Sequence, residues 1–236
     1  MLKVLTASLA ALSLSSAAMA TVYTDTTGDL AATFTGFNHL DITQMEVTNT
    51  ASTITFRFTV AGDVTATDWG KFMIGIDSRP GGDPASNGWV RPISMPVGMD
   101  AWLGAWTDGG NGFENRQWDG AAWQLAGATY NGTPGMVISK TAGTPSDVSL
   151  TLNLADLGLS VGSIFYFDAF TSGGGGTDSA VDSLANPNPS IQNWGDAYSY
   201  GPGTNNPMLT YFVTPVPTPG TLALLGLGGL ALRRRR

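Results

Sequence analysis

The chain has 236 residues and no cysteine. That excludes disulfides and every zinc site built on thiolates, so a folded domain must be held by its core. Histidine occurs once, at His39. A Ser-His-Asp triad would have to use that residue, and no Gly-x-Ser-x-Gly turn lies between a strand and a helix pattern. P-loop and histidine-rich metal motifs are missing as well. Glutamate occurs only at Glu46 and Glu114, and lysine is scarce. Long helical periodicity is absent. The apolar runs at the two ends are too short for the roughly 20 residues that span a bilayer.

Aspartate, glycine, threonine and tryptophan are abundant by contrast. The formal charge is −7. Lys3 and four terminal arginines are five of the eleven bases, and all eighteen acids lie between Asp25 and Asp196. The body therefore holds six bases against eighteen acids, a net charge of −12. Such a body repels nucleic acid and anionic membrane surfaces. It suits neutral ligands or divalent cations.

Both ends read as sorting segments. Lys3 precedes an apolar stretch over 4–14, and Ala18-Met19-Ala20 has the small-x-small form of a signal-peptidase site. Residues 1–20 are thus expected to be a signal peptide. At the other end, Val216-Pro217-Thr218-Pro219-Gly220-Thr221 is rigid and turn-prone. An uncharged Leu/Ala/Gly run over 222–232 follows, then Arg233, Arg234, Arg235 and Arg236. An apolar run stopped by arginines is how a membrane segment ends on its cytoplasmic side. In its parts and their order this tail resembles the PEP-CTERM sorting signal of Gram-negative bacteria, with Thr218 in place of the usual glutamate. The resemblance implies transient insertion of residues 214–236 in the inner membrane, processing by exosortase, and delivery to the cell surface, outer membrane or extracellular matrix.

Between the ends, short alternating stretches recur with turn residues between them. Ile54, Phe56, Phe58 and Val60 alternate with threonines and Arg57, and Phe72, Ile74 and Ile76 alternate likewise. Further strands are expected over 40–48, 89–95, 100–106, 113–118, 121–126, 136–140, 148–154, 163–171 and 208–213, with Asp119-Gly120 as a two-residue hairpin turn. The fold class is all-β: one antiparallel β-sandwich over 21–213, with long Gly/Asn/Pro-rich loops. Residues 172–207 form a loop far beyond the usual length.

Three groups of residues are candidates for chemistry. Hard cations such as calcium bind carboxylate and carbonyl oxygens. Asp25, Asp29 and Asp41 lie near one end; Asp178, Asp182, Asn186 and Asn188 crowd the long loop. Neither set has EF-hand register, and solvated Asx turns account for either set equally well. Trp89, Trp102, Trp106, Trp118 and Trp123 lie within thirty-five residues. Indole faces stack on sugar rings as well as packing cores. Trp102 and Trp106 share one face of a strand. Acid pairs for glycoside hydrolysis are available anywhere among eighteen acids, so none is singled out.

The order of these pieces is similar to a broad sandwich superfamily. It includes family 9 carbohydrate-binding modules, DOMON domains and the C-terminal module of glucodextranases. The similarity rests on Asp25-x-x-Gly28-Asp29, Leu40-Asp41-Ile42, Ile54-Thr55-Phe56-Arg57-Phe58, Phe72-x-Ile74-x-Ile76-Asp77 and Trp118-Asp119-Gly120-Ala121-Ala122-Trp123. Phe167-Asp168-Ala169-Phe170, running into Asp182-Ser183-Leu184, continues it. The resemblance implies a jelly-roll or immunoglobulin-like sandwich with structural calcium, for which Asp25, Asp29 and Asp41 are the ligands carried over. It also implies a sugar site between aromatics, assigned to Trp102, Trp106, Trp118 and Trp123. Haem binders in the superfamily would require His39 with Met45, Met73 or Met95, and nothing in the sequence marks such a pair. The expected protein is non-catalytic, with no catalytic residues, and binds polysaccharide, such as the exopolysaccharide matrix. The alternatives are a structural matrix protein without a ligand and, last, a glycan-processing enzyme.

Overall fold

A computed structural model describes residues 20–186, 191–200 and 208–215. Residues 1–19 of the expected 1–20 leader and residues 216–236 of the sorting tail lie outside the described residues, as does Asn188.

The described chain is all-β, with only short 3-10 turns besides strands. Twelve strands follow in order: β1 (Ala20–Thr24), β2 (Ile42–Asn49), β3 (Thr53–Val60), β4 (Lys71–Asp77), β5 (Ala101–Trp106), β6 (Gly112–Trp118), β7 (Trp123–Ala128), β8 (Val137–Lys140), β9 (Ser146–Asn153), β10 (Ile164–Ser172), β11 (Ala180–Ser183) and β12 (Leu209–Phe212). They form two antiparallel sheets. One runs β1-β2-β3-β9-β8; the other runs β11-β10-β4-β5-β6-β7, with β12 also paired to β10. Among the described residues no helix is long and apolar enough to cross a membrane.

Strict alternation creates the main core. Ile54, Phe56, Phe58 and Val60 of β3 face Phe72, Ile74 and Ile76 of β4 and Phe165, Phe167 and Ala169 of β10, all without exposure. The opposite face of the second sheet is not left to water. Met73, Trp102 and Phe170 project from it into a second apolar layer with Phe34, Leu40, Met95, Met99, Ile191 and Tyr198. Those residues come from the 31–40, 78–100 and 173–200 connections. The molecule is therefore two sheets plus a layer of packed loop on one of them.

Several expected elements differ. Residues 89–95 form no strand; only Ile93 makes an isolated bridge, to Tyr198. Pro92 has no N–H for a ladder, and Asn87 takes up the neighbouring backbone groups instead. The Asp119-Gly120 hairpin is real but wider, closing at the Trp118–Trp123 pair. Asp119 Oδ1 accepts from the Ala121 and Ala122 N–H groups, which makes an Asx turn of the extra two residues. The long loop contains β11, whose four residues are too few for a visible alternation.

Candidate functional site: an acidic seam and a tryptophan cleft

Two features stand out, and neither follows the expected residue set throughout. The first is acidic. β1 ends at Thr24, and Asp25 is fixed by its N–H donating to the Thr43 carbonyl at 3.0 Å. The chain then turns through Gly28, whose N–H donates to both oxygens of Asp41 at 2.9 and 3.1 Å. That turn brings Asp29 back toward Asp25. From the other sheet, Asp182 of β11 reaches the same point, accepting from the Ile42 N–H at 2.6 Å. One oxygen from each of Asp25, Asp29 and Asp182 lies within 4.8 Å of the others. Oxygens that share one calcium at 2.3–2.6 Å lie no more than about 5 Å apart, so the spacing fits.

Partners fit as well. Asp25 Oδ2 and both oxygens of Asp29 are buried and have no hydrogen-bond partner. Burial is the main force raising the Asp25 carboxyl to about 7, with the charges of Asp29, Asp168 and Asp41 adding to it. Burial and then the Asp41 charge push Asp29 up to about 6. Asp182 is raised well above the ordinary range, first by burial and then by Asp25. Acids this crowded need a cation or shared protons. Asp41, the third residue of the expected set, lies outside this close trio and accepts from the Gly28 N–H with both oxygens, while Asp182, whose oxygens accept from the Ile42 and Ser183 N–H groups, stands with Asp25 and Asp29. Asp178 does not join the group, and Asn186 donates to the Tyr198 hydroxyl at 3.0 Å. Asp178 instead accepts from the Gly175 N–H.

The second feature is aromatic. On the outer face of β5 and β6, Gly104 and Gly112 leave room where side chains would stand. The Trp89 ring lies over Gly104 and the Trp106 ring over Gly112, so closely that a Cβ at either place would collide with indole. Trp89 and Trp106 wall a cleft of about 280 Å³ with Lys71, Arg91, Asp108 and Gly176. Tyr130 extends the wall, 6.1 Å from Trp106 by ring centroid.

The cleft is rigidly built. Buried Asn87 accepts from the N–H groups of Trp89 and Arg91 and donates to the carbonyls of Arg91 and Ile93. It closes a knot that leaves Val90 at φ 55° and 77% exposed. A β-branched residue in left-handed backbone is strained and is tolerated where its surroundings force it. From below, Glu114 accepts from Trp89 Nε1, Arg116 Nε and Tyr130 OH. Burial alone would raise its carboxyl, but these three donors bring it below the ordinary range.

The four assigned tryptophans separate. Trp102 is wholly buried, stacked on Phe170 at 6.2 Å, and is corrected from ligand platform to core. Trp106 lines the cleft. Trp118 and Trp123 are half-buried partners across the hairpin, their centroids 5.8 Å apart. Trp118 walls a separate hollow with Arg79 and Asp119, while Trp123 donates to Asp83 Oδ2 at 2.8 Å. Trp89 belongs to the site although it was left out of the set. It falls outside any alternating strand, and only the Gly104 opposite it signals the contact.

His39 is 4% exposed and packs edge-on to Trp69 at 4.4 Å, with Phe37 beside it. Burial lowers its pKa to about 4. Comparison with known proteins finds no family model, no curated protein and no solved structure that matches the chain.

Proposed function

We propose that this protein is an exported, non-catalytic β-sandwich that binds polysaccharide and is braced by calcium. The observation that carries the reading is the Trp89–Trp106 cleft. Two partly exposed indoles, Trp89 from a fixed loop and Trp106 from β5, stand over strand glycines and are flanked by the polar Lys71–Asp108 pair at 3.0 Å. Flat aromatic walls bind the apolar faces of sugar rings, and polar groups at the rim set their orientation.

Two points support a binding role rather than hydrolysis. Asp108 is ion-paired to Lys71, and Glu114 is held below the usual carboxyl range. A carboxyl held low, as Glu114 is, does not suit the proton donor that a glycosidase needs at neutral pH. Calcium at Asp25, Asp29 and Asp182 would tie β1–β2 of one sheet to β11 of the other. A jelly-roll or immunoglobulin-like relationship, and export through the PEP-CTERM-like tail with signal peptidase and exosortase as partners, complete the reading.

Affinity electrophoresis against a panel of polysaccharides, run with calcium and with chelator, tests it. Retardation by at least one glycan, weakened by chelator, is expected. No retardation on any glycan in either condition sinks the binding reading. For export, surface delivery should fail when Arg233–Arg236 are deleted; unchanged delivery would remove the sorting assignment.

A further inference from the structure

The cleft has a charged wall that neutral sugar stacking does not need. Arg91 is only 6% exposed yet lines the cleft beside Trp89 and Trp106. Its Nη1 donates to Ser172 Oγ at 2.7 Å, to the Asp178 carbonyl at 2.8 Å and to the Gly173 carbonyl at 3.4 Å. Among the described residues Nε and Nη2 have no acceptor, and they are not among the buried, partnerless atoms. The side chain's remaining polar edge therefore opens on the cleft.

Its charge is also unmatched. Arg57, Lys71, Arg79 and Arg116 each pair with a carboxylate within 4.0 Å, whereas Arg91 has no such partner among the described residues. Asp178 is near enough to act on it by charge, but its Oδ2 is turned to the Gly175 N–H at 2.8 Å. The Trp89 ring, 5.4 Å from the Arg91 Cζ, offsets part of the cost. A guanidinium stays protonated in proteins even when buried, and a buried unpaired charge is costly. A cation this buried, beside the cleft and without a carboxylate within 4.0 Å, is a costly arrangement for the fold to keep.

We infer that the cleft takes an acidic sugar: a carboxylate-bearing ring such as the uronate unit of an acidic polysaccharide. The inference rests on the glycan reading above. The ring lies against Trp106 and Trp89, and its carboxylate accepts a parallel pair of hydrogen bonds from Arg91 Nε and Nη2, the geometry a planar guanidinium is shaped for. A cleft of about 280 Å³ has room for a single ring rather than a long buried stretch. Selectivity would then come from one unit of the chain. Because the protein is acidic overall, general charge attraction would not retain a polyanion.

The test varies the ligand and leaves the protein intact. Full-length protein is run in affinity gels containing polygalacturonate or its carboxyl-reduced counterpart, at constant free calcium. Native polymer is expected to bind about tenfold or more tightly, a gap that shrinks with added salt. Equal retardation by both forms overturns the carboxylate assignment while the glycan reading stands. Retardation by neutral polymers alone does the same. No retardation on any polymer overturns both. Arg91→Lys keeps the charge but loses the planar fork, and should lose most of the preference for the acidic form. Undiminished preference in that variant also counts against the assignment.

Discussion

Trp89 donates its indole N–H to Glu114 Oε2 at 3.0 Å, and the same oxygen accepts from Arg116 Nε at 2.7 Å. One of the chain's two glutamates thus fixes the ring that walls the cleft. Glu114→Gln keeps the shape and loses the charge. It should cost about 1.5–3 kcal/mol, the usual range for hydrogen bonds to a charged group. Glu114 has a depressed pKa in the fold, so its contribution is present above the unfolded carboxyl pKa and lost as pH falls through the folded value. Urea unfolding at neutral pH should separate wild type from Glu114→Gln, and the gap should close in acid. A gap that persists unchanged at low pH would refute the charge argument.

Val90 sits in left-handed backbone with its side chain in water, so burial gives it nothing to lose. Val90→Gly removes a strain of about 1–2 kcal/mol and adds a backbone entropy cost of about 0.5–1 kcal/mol. The variant should be neutral or up to about 1 kcal/mol more stable. Clear destabilisation in chemical unfolding would mean that the knot around Asn87 does not impose the strain.

Asp29→Asn should change sign with conditions. In chelator it removes a buried, unpartnered charge beside Asp25 and Asp182 and should stabilise the fold. With calcium it removes a ligand and should leave the variant less stable than wild type. Calcium at a hundredfold its Kd adds about 2.7 kcal/mol, or about 5–10 °C in the Tm of a domain this size. Thermal unfolding of both proteins in both conditions checks this. Calcium-independent melting of wild type would remove the metal from the account.

His39 is neutral in the fold because burial holds its pKa near 4, below the 6.5 of a free imidazole. The unfolded chain takes up its proton first, so the contribution is whole above about pH 6.5 and is lost as pH falls toward 4. Wild type should lose more stability over that interval than His39→Gln. Parallel loss in the two proteins would show that His39 charges freely in place.

The sandwich was legible because its inner strands alternate strictly, as in Ile54-Thr55-Phe56-Arg57-Phe58. Alternation also placed Trp102 and Trp106 on one face of β5 correctly. It could not show that loops cover that face at Trp102 and leave it open at Trp106. Cover depends on where the 78–100 and 173–200 connections fold back, and those have no period. The acidic seam was half legible for a similar reason. Gly28 ties Asp25, Asp29 and Asp41 into one turn that local sequence suggests. Asp182 arrives from the other sheet, and only the β10–β11 pairing brings it there.

Glycan binding at the Trp89–Trp106 cleft stands or falls with Trp106→Ala. The polysaccharide that retards wild type most strongly would be titrated against both proteins in affinity gels, with unfolding curves as a control for the fold. The expected result is a loss of affinity of about tenfold, roughly 1.4 kcal/mol, in a variant that remains folded. Unchanged retardation by a folded Trp106→Ala protein would contradict it and return this indole, like Trp102, to a structural role.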